Sequence, residues 1–517
     1  MFLQTVMTDR RKFLERSALG AGGLLFSSAL LESCITDHRL PLPIANPPLL
    51  GGVSDDIDWN DAAKEAIAAG LAMVPEIGEI ASALLRILWP GQDDVWAKIK
   101  SQVEALINQK ISDLVYQQVS EDLQGLNGSI TLYLDEVKNG TPEAILTQWI
   151  VTRNLFVNAL PHFQSKGYEP LLLPFFAQFA NIYLSVLRDG VLNGKSWGRN
   201  DAEHQQDIAD LKKAISDFTA YVPGAYKTGL VNIDNTVPNN FRLAEPDRSL
   251  IRYQRQMTFT VLDFVSTWAY YDVTLYPSGH KVELTREIFS DPYGILLDGN
   301  TDIHNERLGV LPPMPEQCPT KITVWADPYS TGITGVQVTY PAGGGPGGIT
   351  TTPVIPQGGD QRGSLAPPHG GTLTFPPSST NPIVAVRVGT HPSGYLAALY
   401  FYYYDGTQSP ELGYPGADSG PIRFANEVVC RIHIYGGLAT YSPFLAQCVV
   451  FGFKYRQTPA SALRAISAIY VTSPKERSVA EFAPVYPTLG SFSITDELKA
   501  ARAAHWASVG GQAKALK

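Results

Sequence analysis

The stretch YEPLLLPFFAQFANIYLSVLRDG, residues 168–190, constrains the fold more than any other part of the chain. Between Glu169 and Arg188 it runs eighteen residues without a charge. As an α-helix those residues would extend about 27 Å, close to the hydrocarbon thickness of a bilayer. A helix that is apolar on nearly every side has to be enclosed, either by protein or by lipid. Gln178, Asn181 and Ser185 interrupt the run at i, i+3 and i+7, so they share one narrow face. Three readings are open: a transmembrane anchor, the buried centre of a soluble bundle, or a helix that serves as each at different times.

The neighbouring sequence favours a bundle. Residues 56–272 keep a helical period, with segments expected at 59–88, 121–138, 142–163, 169–192, 201–228 and 247–269. Between residues 95 and 119, Val95, Ile99, Val103, Leu106, Ile107, Ile111, Leu114, Val115 and Val119 read as one continuous apolar stripe. Gly140 followed by Pro142, and the break FQSKGYE at 163–169, mark helix ends. Past residue 294 the period shortens. TKITVWA, GVQVTYP, IVAVRVG, LAALYFYYYDG, EVVCRIHIYGG, CVVFGFKY and ISAIYVTS are strand-like runs separated by Gly, Pro and Asn turns. The Gly- and Pro-rich segment 340–371 reads as a long exposed loop.

The N-terminus reads as an address. Arg10 and Arg11, then Phe13 and Leu14, then a weakly apolar Gly/Ala/Leu stretch look like a twin-arginine-type signal peptide over 1–34. LESC resembles a lipoprotein cleavage box in which Cys34 would carry the lipid, so the protein is expected to be exported, with a lipid anchor at the cell surface as an option. Of the remaining cysteines, Cys430 and Cys448 sit in strand-like runs, where they either pair or stand as unrelated buried thiols.

Several function classes are disfavoured. The net charge is −9 with the two signs interspersed, so no basic stripe is available for nucleic acid. GVLNGKS at 190–196 has three residues between its glycines where a phosphate loop needs four, and it follows a helix instead of a strand. Scattered histidines and acidic pairs that precede helices offer no metal, cofactor or catalytic constellation, and an enzyme is not expected.

Ordered blocks then narrow the choice. VEALINQKI, LQGLNGSITLY, ALPHFQSKGYEPLLLPFFAQFANIYLSVLRDGVLNGKSWG and RQMTFTVLDFVSTWAYYDVTLYPSGHKVELTREIFSDPYG resemble the conserved blocks of the insecticidal Cry δ-endotoxins. LYFYYYDG and EVVCRIHIYGG resemble that family's second domain, a β-prism related to jacalin-type lectins. The resemblance implies a seven-helix bundle with a central helix at 55–293, after a linker at 35–54, then an all-β prism at 294–474 and a tail at 475–517. It also implies a pore-forming toxin. The family's fourth and fifth helices, here 142–163 and 169–192, insert as a hairpin whose tip is Gln164, Ser165, Lys166, Gly167 and Tyr168.

Partners implied are a target-cell membrane, a cell-surface receptor or glycan bound by the prism loops, and further copies of the chain in the pore. On 142–163, Thr147, Asn154 and Asn158 share a face, with Arg153 beside them. Together with Gln178, Asn181 and Ser185 they are the expected membrane-inserting, lumen-facing residues. In the soluble bundle the two stripes would bond to each other or to other partners. Tyr183 stands where the family commonly has His, and the tail after 475 is too short for the family's third domain. The alternative is an exported, non-lytic surface lipoprotein that binds a glycan or receptor.

Overall fold

The computed structural model of the chain describes residues 58–72, 76–91, 94–236, 245–282, 287–294, 314–356, 363–424, 427–436 and 445–455. The expected signal peptide at 1–34 with Cys34, the expected linker at 35–54, the run at 466–473 and the expected tail at 475–517 lie outside them. The first half is helical: α1 (Asp58–Ala72), α2 (Glu79–Leu88), α3 (Val95–Ile107), α4 (Asp113–Asn139), α5 (Pro142–Ala159), α6 (Glu169–Asn193), α7 (Asp201–Thr236), α8 (Glu245–Met257) and α9 (Asp263–Trp268). A π turn, Thr258–Leu262, joins the last two into one rod.

Two breaks correct the sequence reading. The expected 59–88 helix is α1 and α2, with Gly78 as N-cap of α2 at φ 76°, a left-handed conformation that favours glycine. The stripe read as continuous from 95 to 119 is cut between α3 and α4. Asn108 takes the left-handed C-cap position of α3, and the Ser112 hydroxyl caps α4 by accepting from Val115 N.

The uncharged run is α6, and it is the centre of the bundle. Helices α2, α3, α5, α7 and α9 and the π turn pack on it, and every residue from Pro170 to Val191 is buried. Aromatic side chains supply much of this contact. Phe156 of α5 stacks on Tyr183 with centroids 4.9 Å apart, and Phe176 meets Phe218 of α7 at 5.3 Å and Trp268 at 6.3 Å. Such pairs contribute about 0.5–1.5 kcal/mol each beyond the area they bury.

The second half holds three antiparallel sheets. Strands β1 (Glu287–Phe289) and β2 (Tyr293–Gly294) pair with β11 (Ala446–Tyr455), whose other side carries β10 (Glu427–Gly436). The second sheet runs β4 (Gly332–Thr339), β3 (Lys321–Asp327), β5 (Gly371–Thr374). The third runs β8 (Leu412–Gly413), β7 (Leu396–Tyr403), β6 (Ile383–Thr390), β9 (Ala417–Asp418). All three feed one core, in which Ile322 and Val338, Val386 and Leu399, and Ile432 and Phe451 meet, and this is a β-prism. The first sheet begins ahead of residue 294, because β1 already pairs with β11.

Two further expectations change. The segment 340–356 is not a free loop: it folds back along β4, with Thr339 opposite Thr351 and Val336 opposite Ile355. Its glycines permit close approach, and a side chain at Gly345 would collide with the Tyr340 ring. The cysteine pairing also differs: Cys430 is bonded to Cys318, while Cys448 is a buried thiol. Antiparallel register explains why Cys430 and Cys448 do not meet. Cys448 lies opposite Tyr435, five residues along β10 from Cys430, or roughly 17 Å.

Bundle and prism are fastened at Asp291. It accepts from Arg252 Nε at 2.8 Å and from Arg255 Nη2 at 2.9 Å, and Arg255 also donates to the Phe289 carbonyl at 2.6 Å. Burial pushes the Asp291 carboxyl up, but the two guanidinium groups prevail and hold it below the ordinary value. A carboxyl lowered in the folded state contributes stability above its unfolded pKa and loses it as pH falls through the folded value. Asp291→Asn is therefore expected to lower unfolding stability by about 2–4 kcal/mol at pH 7. The gap to the parent should close below about pH 4. Urea titrations at pH 7 and pH 3.5 measure both, and an equal gap at the two values would contradict the assignment.

Candidate functional site: a buried helical hairpin

Helix α5 starts where the sequence says it should. The Thr141 hydroxyl accepts from Ala144 N, and Pro142 occupies the first turn, where no backbone N–H is needed. Its buried face is Ile145, Trp149, Thr152, Phe156 and Ala159, a helical spacing directed at the bundle. A 3₁₀ turn, Leu160–Gln164, then shortens the tip to Ser165–Tyr168. Gly167 turns the chain at φ 84°, and its N–H donates to Glu169 Oε2 at 2.7 Å. The Ser165 hydroxyl donates to the His162 carbonyl, and Lys166 is exposed while Gln164 and Tyr168 are half-buried.

The two polar stripes do not face each other. Gln178 and Asn181 are fully buried and turn toward α9 and the π turn. Gln178 Nε2 donates to the Thr260 carbonyl at 3.2 Å, within the π turn, where the regular hydrogen-bond ladder is disturbed. Asn181 Nδ2 donates to Gln178 Oε1, and Asn181 Oδ1 accepts from Trp268 Nε1 at 2.8 Å. Ser185 donates to the Ile182 carbonyl of its own helix. Each amide in this dry interior is thus bonded, as burial requires. On α5, by contrast, Thr147, Asn154 and Asn158 are exposed, and Thr147 donates back to the Glu143 carbonyl. Val151, Leu155 and Val157 are exposed beside them, at 46%, 39% and 51%.

The hairpin is held by contacts that sequence inspection did not find. Trp149 Nε1 donates to the Val186 carbonyl at 2.7 Å, tying α5 to α6, and the Ser129 and Thr152 hydroxyls meet at 2.9 Å, tying α5 to α4. Arg153 reaches α7, where it pairs with Asp207 at 3.1 Å and with Asp210. Asp207 also takes two bonds from Arg199, at 2.8 and 2.7 Å, and this pairing raises the Arg199 pKa. Near the tip, His162 contacts both Asp122 and Gln118 of α4. At the far end of α6, Asp189 accepts from Tyr133 and from Gly78 N, each at 3.0 Å. Burial, with that carboxylate beside it, drives the Tyr133 hydroxyl well above its ordinary pKa, so it remains a donor. The spacing of Arg153, Arg199, Asp207 and Asp210 carried no motif. Their meeting depends on α7 lying beside α5.

Among the described residues, α6 is the one helix both long and apolar enough to cross a membrane, and its whole apolar window is buried in protein. No cluster of metal-ligating side chains occurs among the described residues.

An apolar central helix ringed by other helices and followed by a three-sheet prism defines the class, a helical-bundle protein with a β-prism appended. Residues 66–272 match the delta endotoxin N-terminal domain. Over 263 residues it is 30% identical to pesticidal crystal protein Cry26Aa of Bacillus thuringiensis subsp. finitimus, covering 48% of this chain and 22% of that one. Over 278 residues it is 33% identical to Cry9Ca of Bacillus thuringiensis subsp. tolworthi, covering 50% and 23%. The match therefore spans less than a quarter of the length of either relative. In fold, the chain is similar to the Bacillus thuringiensis insecticidal crystal protein Cry7Ca1, with TM-score 0.64 and 21% identity over 78% of this chain and 76% of that one.

Asp207 is the hub of the α5–α7 contact, so Asp207→Asn should leave two guanidinium groups poorly compensated. The expected cost is about 3 kcal/mol, with faster hydrogen exchange across α5 than across α3. Urea unfolding and amide exchange measure the two effects, and an unchanged midpoint together with unchanged α5 exchange would contradict the latch.

Proposed function

We propose that the chain is a membrane-permeabilising toxin of the δ-endotoxin type, exported by its twin-arginine-type leader and inserting α5 and α6 into a target membrane as a hairpin. One observation carries the reading: α6 has the length and apolarity of a membrane span, yet it is kept wholly inside protein. Apolar side chains already screened from water lose little on exchanging helix neighbours for acyl chains, provided the bundle opens. The outer face of α5 supports the same idea, since Val151, Leu155 and Val157 are solvent-exposed in the soluble state.

Insertion would take Gln178 and Asn181 away from Thr260 and Trp268, and Arg153 away from Asp207 and Asp210. In hydrocarbon those groups would need new partners, and an oligomer supplies them by turning the stripes of several copies onto a wet lumen. Thr147, Asn154 and Asn158 would join them there. Arg153 left facing lipid would cost about 2.5–3.5 kcal/mol at the bilayer centre. Residues 164–168 would lead, with Lys166 drawn to the headgroup level. The prism would supply recognition of a receptor or glycan through the turns at the ends of its sheets. The β3–β4 turn presents Tyr329 almost entirely to solvent.

Dye release from liposomes, before and after protease clipping near residue 55, tests the proposal. Leakage is expected on clipping, and intact vesicles under all conditions would reject it. In planar bilayers Asn158→Asp, at an exposed position, should raise cation selectivity with no loss of folding. Unchanged selectivity would remove Asn158 from the lumen. Gln178→Lys should instead cost the bundle several kcal/mol, because it buries an ammonium where the amide now bonds to Thr260.

A further inference from the structure

Inside α7 the backbone ladder is interrupted. Pro223 lies within the helix, and proline has no N–H to donate, so the ladder bond to the Thr219 carbonyl cannot form and the ring crowds that carbonyl. Gly224 follows. It is exposed, and a side chain there would meet nothing within 4 Å, so no close approach calls for glycine. One turn on, the Thr228 hydroxyl donates to the Gly224 carbonyl at 2.9 Å, a back-bond that bends helices. A Pro-Gly pair at such a place leaves the backbone free to flex.

The two sides of this point hold different partners. Ahead of it, α7 lies along the hairpin. Asp207 and Asp210 pair with Arg153 of α5, Phe218 meets Phe176 and Tyr183 of α6 at 5.3 and 6.0 Å, and Tyr221 meets Phe176 at 4.7 Å. Burial, and then the nearby carboxylate of Glu169, push the Tyr221 pKa up. Glu169 is the first residue of α6, so the interruption falls at the level where α6 begins. Behind it, α7 belongs to α8. The Tyr253 hydroxyl donates to the Tyr226 carbonyl at 3.0 Å, and the two rings lie 5.4 Å apart. Gly229 lets that hydroxyl close in, since a side chain there would come within 2.0 Å of it. Helix α8 in turn carries the fastening of Arg252 and Arg255 to Asp291. The first half of α7 also touches the α9 end of the rod, through Phe218 on Trp268 at 6.2 Å and through exposed Lys212, 4.0 Å from Asp272. Those two contacts would have to part.

We propose that Pro223–Gly224 is a hinge: when the bundle opens, the first half of α7 leaves with α5 and α6 while the second half stays on α8. Its use in insertion rests on the toxin reading, but the hinge itself is a property of the soluble chain.

Amide hydrogen exchange of the soluble full chain in graded, sub-denaturing urea tests the hinge without a membrane. Amides of residues 203–222 should exchange in the same opening as those of α5, while those of residues 225–233 stay protected with α8 and exchange about tenfold more slowly or less. The double variant Pro223→Ala, Gly224→Ala restores the missing N–H and places two strong helix formers at the hinge. It should join the halves into one exchanging unit, with helix content retained by circular dichroism. Exchange of the whole of α7 as one unit in the parent, or an unchanged split in the double variant, overturns the proposal. With liposomes, the double variant should release dye about tenfold more slowly than the parent, a barrier raised by the stiffened hinge. An equal rate overturns the part of the hinge in insertion. A parent chain that releases no dye rejects the toxin reading instead, and the exchange result then decides the hinge alone.

Discussion

The enclosure of α6 governs the rest of the bundle. A helix with no exposed side from Pro170 to Val191 has no water to satisfy its polar groups, so every amide or hydroxyl on it must be met by a neighbour. That requirement fixes details that would otherwise look arbitrary. The π turn ahead of α9 presents the Thr260 carbonyl to Gln178, and Trp268 is oriented with its indole N–H on Asn181. At the other end the break between α1 and α2 brings the Gly78 amide to Asp189. The surrounding helices are shaped to the central one.

The same arrangement keeps separation feasible. Much of the α5–α6 surface contact is between aromatic and aliphatic side chains, which are as compatible with acyl chains as with each other. Directional attachments lie at identifiable points: Trp149 on Val186 within the hairpin, and outside it Ser129 on Thr152, Arg153 on α7, His162 on α4, Gln178 and Asn181 on Thr260 and Trp268, and Asp189 on Tyr133 and Gly78. The fastening to the prism, at Asp291, involves α8 and leaves the hairpin out. A bundle that opens at α5 and α6 can therefore keep its junction with the β half.

Much of the fold was legible because period and apolarity are local properties. The run at 169–192, the capped start of α5 and six of the seven strand-like runs appear as elements within a few residues of their expected ends. The exceptions have physical causes. The 95–119 stripe hid a break because α3 and α4 present apolar residues on either side of a five-residue turn set by Asn108 and Ser112. Strands β5, β8 and β9 have only two to four residues, too few for alternation to register. The partner of Cys430 is decided by strand register and by where the chain enters the prism, neither of which is local. Of the candidate residues, the polar faces of α5 and α6 were readable from spacing. Their partners, Thr260 and Trp268, come from a helix some eighty residues away in sequence. The division of roles between a dry stripe on α6 and a wet one on α5 likewise emerges only from packing.

Separation of α5 from α4 is the motion on which the toxin reading turns, and Ser129 and Thr152 mark the place to block it. Their side-chain oxygens are 2.9 Å apart, close enough for a paired cysteine substitution to form a disulfide there. Dye release by the Ser129→Cys, Thr152→Cys chain, compared before and after reduction, measures the motion directly. The account predicts intact vesicles while the bridge is closed and leakage at the parent rate once it is reduced. Leakage at the parent rate with the bridge closed would contradict it.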